Sequence, residues 1–391
     1  MYKHLLQTIS QRIPRNYVQP QPSKSDLIIV AMSSGVDSSV AASFYKDFPN
    51  VQGIFMQNWN QLDSNRCLEQ DYKDVQKVAE HLKIPLELCN FEKDYWTNVF
   101  EPMIDDYSKG ITPNPDINCN RFVKFGRLID FIENRYKNEN YWLVTGHYSR
   151  ILRNISTNKA ELHKAFHKPK DQSYYLSQIN PSILSKLLLP VGHFTKPEIR
   201  SLAASIHIPT ATKPDSTGLC FVNPSQGKFN DFLQQFIPDS PGPIKDTEGK
   251  VWGEHQGLWS YTRGQKIRGI SMPQGDPKYR GQWYVSEKRI KENEIIIVRG
   301  MSNESLYDQA VYVEEFLPLI EDFDVNEFNA ESLRAQYRSL QEEVEISEVL
   351  QDGAKLVVRF KEPKRAVSVG QYLALYHGER CLGSGMIRAT E

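Results

Sequence analysis

The sequence predicts an α/β protein: a doubly wound parallel sheet, then a small central domain, then a C-terminal antiparallel β-barrel. Three observations predict it. Between residues 26 and about 145, short apolar runs alternate with stretches of helical spacing, the pattern of strand–helix–strand units in a parallel sheet. From about residue 233 the pattern changes, and Pro238, Pro241, Gly242, Pro243, Gly249, Gly253 and Gly257 cut the chain into short pieces. From about Leu306, short alternating runs separated by Gly, Pro and charged turns argue a small antiparallel barrel or sandwich. The expected units are 26–232, 233–305 and 306–391, behind a distinct segment 1–25.

That first segment carries Lys3, Arg12, Arg15 and Lys24 and no acidic residue, with Leu5, Leu6, Ile9 and Ile13 on one helical face. Basic, amphipathic and acid-free is the composition of a mitochondrial transit peptide, which places the protein in the matrix with a mature start near residues 20–26. A disordered tail is the plainer alternative.

The first strand is the apolar run Leu27 to Ala31. Met32, Ser33, Ser34 and Gly35 follow, and Val36, Asp37, Ser38, Ser39 and Val40 then run into a helix. A strand, a tight turn of small residues and a helix N-terminus make an anion site, because the first turn has unpaired N–H groups and a positive dipole end. The serine hydroxyls add donors, and Asp37 adds a carboxylate suited to Mg²⁺. The phosphate loop with Lys before Ser or Thr is absent, so this is a different loop. A Ser-rich cap on an ordinary helix is the competing reading.

A second strand covers Val51 to Met56. A helix follows over Asp71 to Leu82, with Val75, Val78, Ala79 and Leu82 in phase, and a third strand over Ile84 to Leu88. In ITPNPDINCN, residues 111–120, two prolines stiffen a loop that presents Asp116 and Cys119 three residues apart. The helix after it would bury Phe122, Phe125, Leu128, Ile129 and Ile132. A thiolate near that helix start is favoured by the dipole, and a buried structural cysteine beside a capping aspartate is equally open. Tyr141 to Thr145 forms another buried strand, delivering Gly146 and His147 at its carboxyl end, where His147 is either a ligand contact or structural.

Ser149 to Lys170 carries Arg150, Arg153, Lys159, Lys164, Lys168 and Lys170 against the single acid Glu161. This reads as a solvated hairpin whose sign suits a polyanion. Thr195, Pro197 and Glu198 mark a capped helix over 195–204. Asp215 to Gly218 then make a turn that places Cys220 at the edge of a loop.

Composition narrows the class. The chain has 391 residues with a formal net charge of −1, so any nucleic-acid surface is local. No apolar run approaches a membrane span. Five cysteines without a C-x-x-C pair argue against a zinc site or a secreted disulfide framework.

The S-x-G-x-D-S loop resembles the pyrophosphate loop of the ATP-pyrophosphatase superfamily. AMSSGVDSSV, TPNPDINCN, TGHY, KDQSYYL, ATKPDSTGLCF, YTRGQ and AVSVGQYLALYHGERCLGSG, in that order, together resemble the tRNA-specific 2-thiouridylases over nearly all of 26–391. The resemblance implies sulfur transfer to C2 of the wobble uridine in the anticodon stem-loop of tRNA, with ATP and Mg²⁺ first adenylating the C2 oxygen. It implies phosphate and adenosine contacts at Ala31, Met32, Ser33, Ser34, Gly35, Val36, Asp37, Ser38, Met56 and Gly146. Cys220 would carry a persulfide from a sulfur-donor protein, Cys119 would release that sulfur as a disulfide partner, and Asp116 would be the acid–base group. RNA contacts carry over to Asn114, Pro115, Asp116, His147, Lys170, Asp171, Gln172, Gln336, Tyr337 and Gln371. Three positions depart from the family pattern: Ser34 replaces a usual glycine, Asn60 a common acid and Gln336 a frequent arginine. A different adenylating enzyme, such as a lysidine synthetase, would share the loop without needing both cysteines. A non-catalytic tRNA-binding protein would hold nucleotide without turnover.

Overall fold

A computed structural model describes residues 1–59, 65–137, 139–215, 229–273 and 275–391. Cys220 and Asn60 lie outside the described residues.

Five parallel strands form the first sheet, in the order Leu86–Asn90, Val51–Gln57, Leu27–Ala31, Tyr141–Val144, Leu187–Leu188. Chain order runs outward in one direction from Leu27–Ala31 and then in the other from Tyr141–Val144. The switch point therefore lies between these two central strands, the place where open α/β sheets bind ligands. Both are buried along their whole length, which is why they read as unbroken apolar runs. Leu27 and Ile29 face the core under the long helical segment 115–135. Ile28 and Val30 face helices Val36–Tyr45, Asn65–Leu82 and Lys196–Ser205. The third strand begins two residues later than its apolar residues suggest. Lys83 takes a left-handed turn there, and the amide of Ile84 is spent on the carbonyl of Ala79.

Segment 1–25 is not a tail. Helix Tyr2–Ser10 packs Leu5 and Ile9 into the core beside helix Val36–Tyr45, and Tyr17–Val18 pairs antiparallel with Arg153 and Asn154. Arg12 finds its carboxylate outside the segment, in Glu198, in a two-pronged pair at 2.7 and 2.9 Å.

The central domain is a four-stranded sheet in the order Val251–His255, Gly242–Asp246, Glu294–Arg299, Trp283–Arg289, around Ile244, Val285, Ile295 and Ile297. The last domain closes: Arg380–Thr390, Tyr307–Pro318, Lys355–Arg365, Val344–Asp352, Leu333–Gln336 and Tyr372–His377 pair in a ring, the last returning to the first. Among the described residues, no helix is long and apolar enough to cross a membrane.

The basic hairpin is not the solvated patch its composition suggests. Arg150 is 1% exposed and donates to Glu379 of the barrel at 2.6 Å, while Glu161 pairs with Arg380 at 3.1 Å. Strand Ala160–Lys164 joins the barrel edge through His163 opposite Arg380. These charges fasten two domains together, and Arg150 and Lys164 do not offer themselves to a polyanion.

Candidate active site

At the switch point the turn after Leu27–Ala31 is tied into a fixed shape by its own hydroxyls. Ser38 Oγ donates to the carbonyls of Ser33 and Gly35 at 3.0 and 3.1 Å, and the Ser33 amide reaches Ser38 Oγ at 3.1 Å. Helix Val36–Tyr45 begins there, so its unpaired N–H groups point outward from a turn that is already ordered. Gly146 closes against it: a Cβ on Gly146 would lie 2.6 Å from the Ser38 nitrogen, so only glycine lets the two backbones meet. The result is a cavity of about 270 Å³ lined by Ala31, Met32, Ser33, Gly35, Val36, Asp37, Ser38, Met56, Gly146 and His147 among others. Ser34 is absent from that lining, and its hydroxyl turns away to Asp71 at 2.7 Å.

Lys124, Lys170 and Lys196 enter the same cavity, against Asp37 and Asp215. Lys196 Nζ sits 2.8 Å from a carboxylate oxygen of each of these aspartates. Burial pushes the Asp215 carboxyl up, but hydrogen bonds from Lys170, Lys196 and Arg200 outweigh it and hold the group well below the usual range. Tyr148 donates to Asp37 at 2.9 Å, and its phenol is pushed up by burial and by that carboxylate. Lys196, Lys124, Tyr148 and Asp215 were not legible as site residues. Lys196 reads as an ordinary first-turn lysine until the fold brings its helix to the loop.

The second half of the site is the helical segment 115–135. Asn114 caps it, accepting the Ile117 amide at 3.3 Å, and Pro115 fills the first position, where a missing N–H costs nothing. From Cys119 to Arg127 the helix is π-wound, a form that often marks function. The wider turn also shifts the side-chain phase, so Phe122 emerges beside Arg121 while Val123 goes inside, against the expectation from regular helical spacing. Burial raises the Asp116 carboxyl above its ordinary value, partly offset by Lys124, the direction that makes a carboxylate a better proton acceptor. Cys119 is buried.

Neither Asp116 nor Cys119 lines the cavity; the helix that carries them is tied through Asn120 to His147, which does. Asn120 Nδ2 donates to the Asp116 carbonyl at 2.9 Å, and Asn120 Oδ1 accepts from His147 Nε2 at 3.1 Å. His147 Nδ1 meets the Thr145 hydroxyl at 2.6 Å, and burial keeps the imidazole neutral. His147 thus braces the cysteine-bearing helix against the central strand. Burial raises the thiols of Cys89 to about 11 and Cys381 to about 12, which leaves them inert as nucleophiles at neutral pH.

Comparison with known proteins shows the family. The tRNA methyl transferase HUP domain profile matches residues 26–224, its PRC-barrel domain 230–299, and an aminomethyltransferase β-barrel domain 320–387. The mitochondrial tRNA-specific 2-thiouridylase 1 of Saccharomyces cerevisiae is 49% identical over 410 residues, covering 99% of this chain and 98% of that one. The chain belongs to the tRNA-specific 2-thiouridylase family. The Schizosaccharomyces pombe counterpart is 39% identical over 95% of this chain and 92% of its own length. The 2-thiouridylase MnmA of Lactiplantibacillus plantarum is 38% identical over 93% and 95%.

As a 2-thiouridylase, the chain distributes its expected RNA residues unevenly. Lys170 and Gln172 face the cavity. Asp171 turns inward instead, accepting the Ala165 amide at 2.7 Å and the Ser173 hydroxyl at 2.6 Å, because a buried turn needs those donors satisfied. Tyr337 packs against Phe360 in the barrel core. Gln336 is 5% exposed and donates to the Gln341 carbonyl at 3.2 Å. Gln371 reaches from the barrel to the proline loop, donating to the carbonyls of Thr112 and Pro113 at 2.9 and 3.0 Å and accepting from Asn114 at 3.2 Å. Its work is to hold the loop that starts the Asp116 helix. Gln371→Ala is therefore expected to lower tRNA-dependent turnover about 10-fold while ATP affinity stays at the wild-type value, checked by steady-state kinetics beside nucleotide binding.

Proposed function

We propose that this 2-thiouridylase acts on tRNA in the mitochondrial matrix. It would adenylate the C2 oxygen of the wobble uridine with ATP, then replace that oxygen with sulfur from a cysteine persulfide. The observation that carries the reading is the pairing of an anion cavity at the switch point with a helix that holds Asp116 and Cys119 beside it.

A uridine carbonyl oxygen is a poor leaving group, so adenylation must come first. The amides of residues 36–38 and the ammonium groups of Lys124, Lys170 and Lys196 would hold the triphosphate and stabilise charge as the α–β bond breaks. Asp37 and Asp215 are the carboxylates lining that position, and they are the residues that would hold Mg²⁺ there. Bound there, Mg²⁺ would supply further neutralisation of phosphate charge. The wobble base lies in a single-stranded loop, which makes its extraction into a pocket energetically mild.

In the second stage the terminal sulfur of a Cys220 persulfide would attack C2 and AMP would leave with the former carbonyl oxygen. Cys119 thiolate would then attack Cys220 Sγ, breaking the S–S bond, leaving sulfur on C2 and forming a Cys119–Cys220 disulfide. A dithiol reductant must reopen that disulfide, and a persulfide donor protein must recharge Cys220. Asp116 fits as the group that takes the Cys119 proton.

Labelled ATP incubated with and without unthiolated tRNA tests the first stage. AMP and pyrophosphate are expected only with a tRNA whose wobble base is uridine; binding of both ligands without turnover would overturn adenylation. Cys119→Ser and Cys220→Ser should each abolish thiolation, by roughly 1,000-fold or more, and spare tRNA binding. Retained thiolation in either variant removes that cysteine from the mechanism.

A further inference from the structure

Ser34 stands where the resembling loops carry glycine, and its side chain leaves the cavity for Asp71 at 2.7 Å. Lys213 Nζ donates to the same Asp71 oxygen at 2.8 Å and to Asp74 at 2.8 Å, and it holds the Asp74 carboxyl below its ordinary value. The Lys213 carbonyl accepts from Arg200, which also binds Asp215. Asp215 meets Lys196, and Lys196 returns to the loop at Asp37. The turn is thus gripped at both ends: at Ser34 by the Asp71–Lys213 pair on one side, at Asp37 by Lys196 on the other.

We propose that Ser34 is a positioning residue for the anion cavity, its hydroxyl pinning the turn to Asp71 so that the amides of residues 36–38 stay aimed at phosphate. A serine costs backbone freedom that glycine would have given, and the hydrogen bond to a charged acceptor compensates by fixing one conformation. Asp71 can do this because Lys213 holds it in place. A chance surface contact between a serine and an acid would instead leave ATP affinity indifferent to either residue.

The inference rests on the ATP reading above, and the test separates the two. ATP affinity is measured by equilibrium dialysis without tRNA, and tRNA-dependent AMP release by steady-state kinetics, for wild type, Ser34→Ala, Ser34→Thr, Asp71→Ala and the Ser34→Ala/Asp71→Ala double variant. Ser34→Ala is expected to weaken ATP binding about 5- to 10-fold, appearing in KM with kcat within about 2-fold of wild type. Ser34→Thr, which keeps the hydroxyl, should hold most of that affinity. In the Asp71→Ala background the Ser34→Ala change should cost nothing further. Unchanged affinity in Ser34→Ala, or an equal loss in both backgrounds, would overturn the proposal. Wild-type protein that binds ATP yet releases no AMP with tRNA would overturn the adenylation reading alone, since dialysis decides the role of Ser34 without turnover.

Discussion

Lys196→Met is expected to reduce tRNA-dependent release of AMP about 100-fold, with a rise in the KM for ATP, while tRNA affinity stays unchanged. The side chain is 11% exposed and lies 2.8 Å from both Asp37 and Asp215. Methionine matches its length but removes the charge, so two carboxylates at the cavity then face the incoming phosphates with one ammonium fewer. Removing a single preorganised donor from a developing oxyanion costs about 10²–10³ in rate; the lower end applies because Lys124 and Lys170 remain in the cavity. Lys196→Arg should recover only part of the loss, since the planar guanidinium cannot occupy the point between the two carboxylates as an ammonium does. Turnover at the wild-type rate in Lys196→Met would remove the residue from phosphate binding.

What could be read before the fold was known follows a physical line. The turn from Ser33 to Ser38 was legible because its chemistry is local: small residues, a strand before and a helix after. The capping box at Thr195 and Glu198 was legible for the same reason, and both of its hydrogen bonds are present. Lys196 sits one residue further on and was not, because its partners lie 159 and 19 positions away in sequence and only the sheet order brings them together. The hairpin at 149–164 misled in the opposite direction. A run of cations looks solvated when its counter-charges, Glu379 among them, stand in another domain. Phe122 shows a third limit: regular spacing assumes a regular helix, and the π-wound stretch from Cys119 changes which side chains go inside.

The N-terminal segment carries the second large effect. Leu5 and Ile9 are 1% and 2% exposed, packed beside the helix whose N-terminus opens the cavity. Leu5→Ala combined with Ile9→Ala is expected to lower the unfolding free energy by about 4 kcal/mol or more, since each buried truncation costs about 2–5 kcal/mol. That is a large part of the roughly 5–15 kcal/mol a domain has, so urea denaturation should show it clearly. A chain beginning at residue 21 should be less stable and should expose the apolar side of helix Val36–Tyr45; equal stability and activity in that chain would show the segment to be dispensable. Arg12 adds a pH signature. The hydrogen bond from its guanidinium holds the Glu198 carboxyl down at about 2, below the ordinary 4.5. A depressed carboxylate stabilises the fold in full above its unfolded value and loses that contribution as the pH falls toward the folded one. Arg12→Ala should therefore flatten the stability profile between pH 4.5 and about 2, and cost no more than about 1 kcal/mol at neutrality because Glu198 remains 42% exposed. An unaltered acid limb in Arg12→Ala would mean that this pair does not fasten the segment, leaving Leu5 and Ile9 to hold it alone.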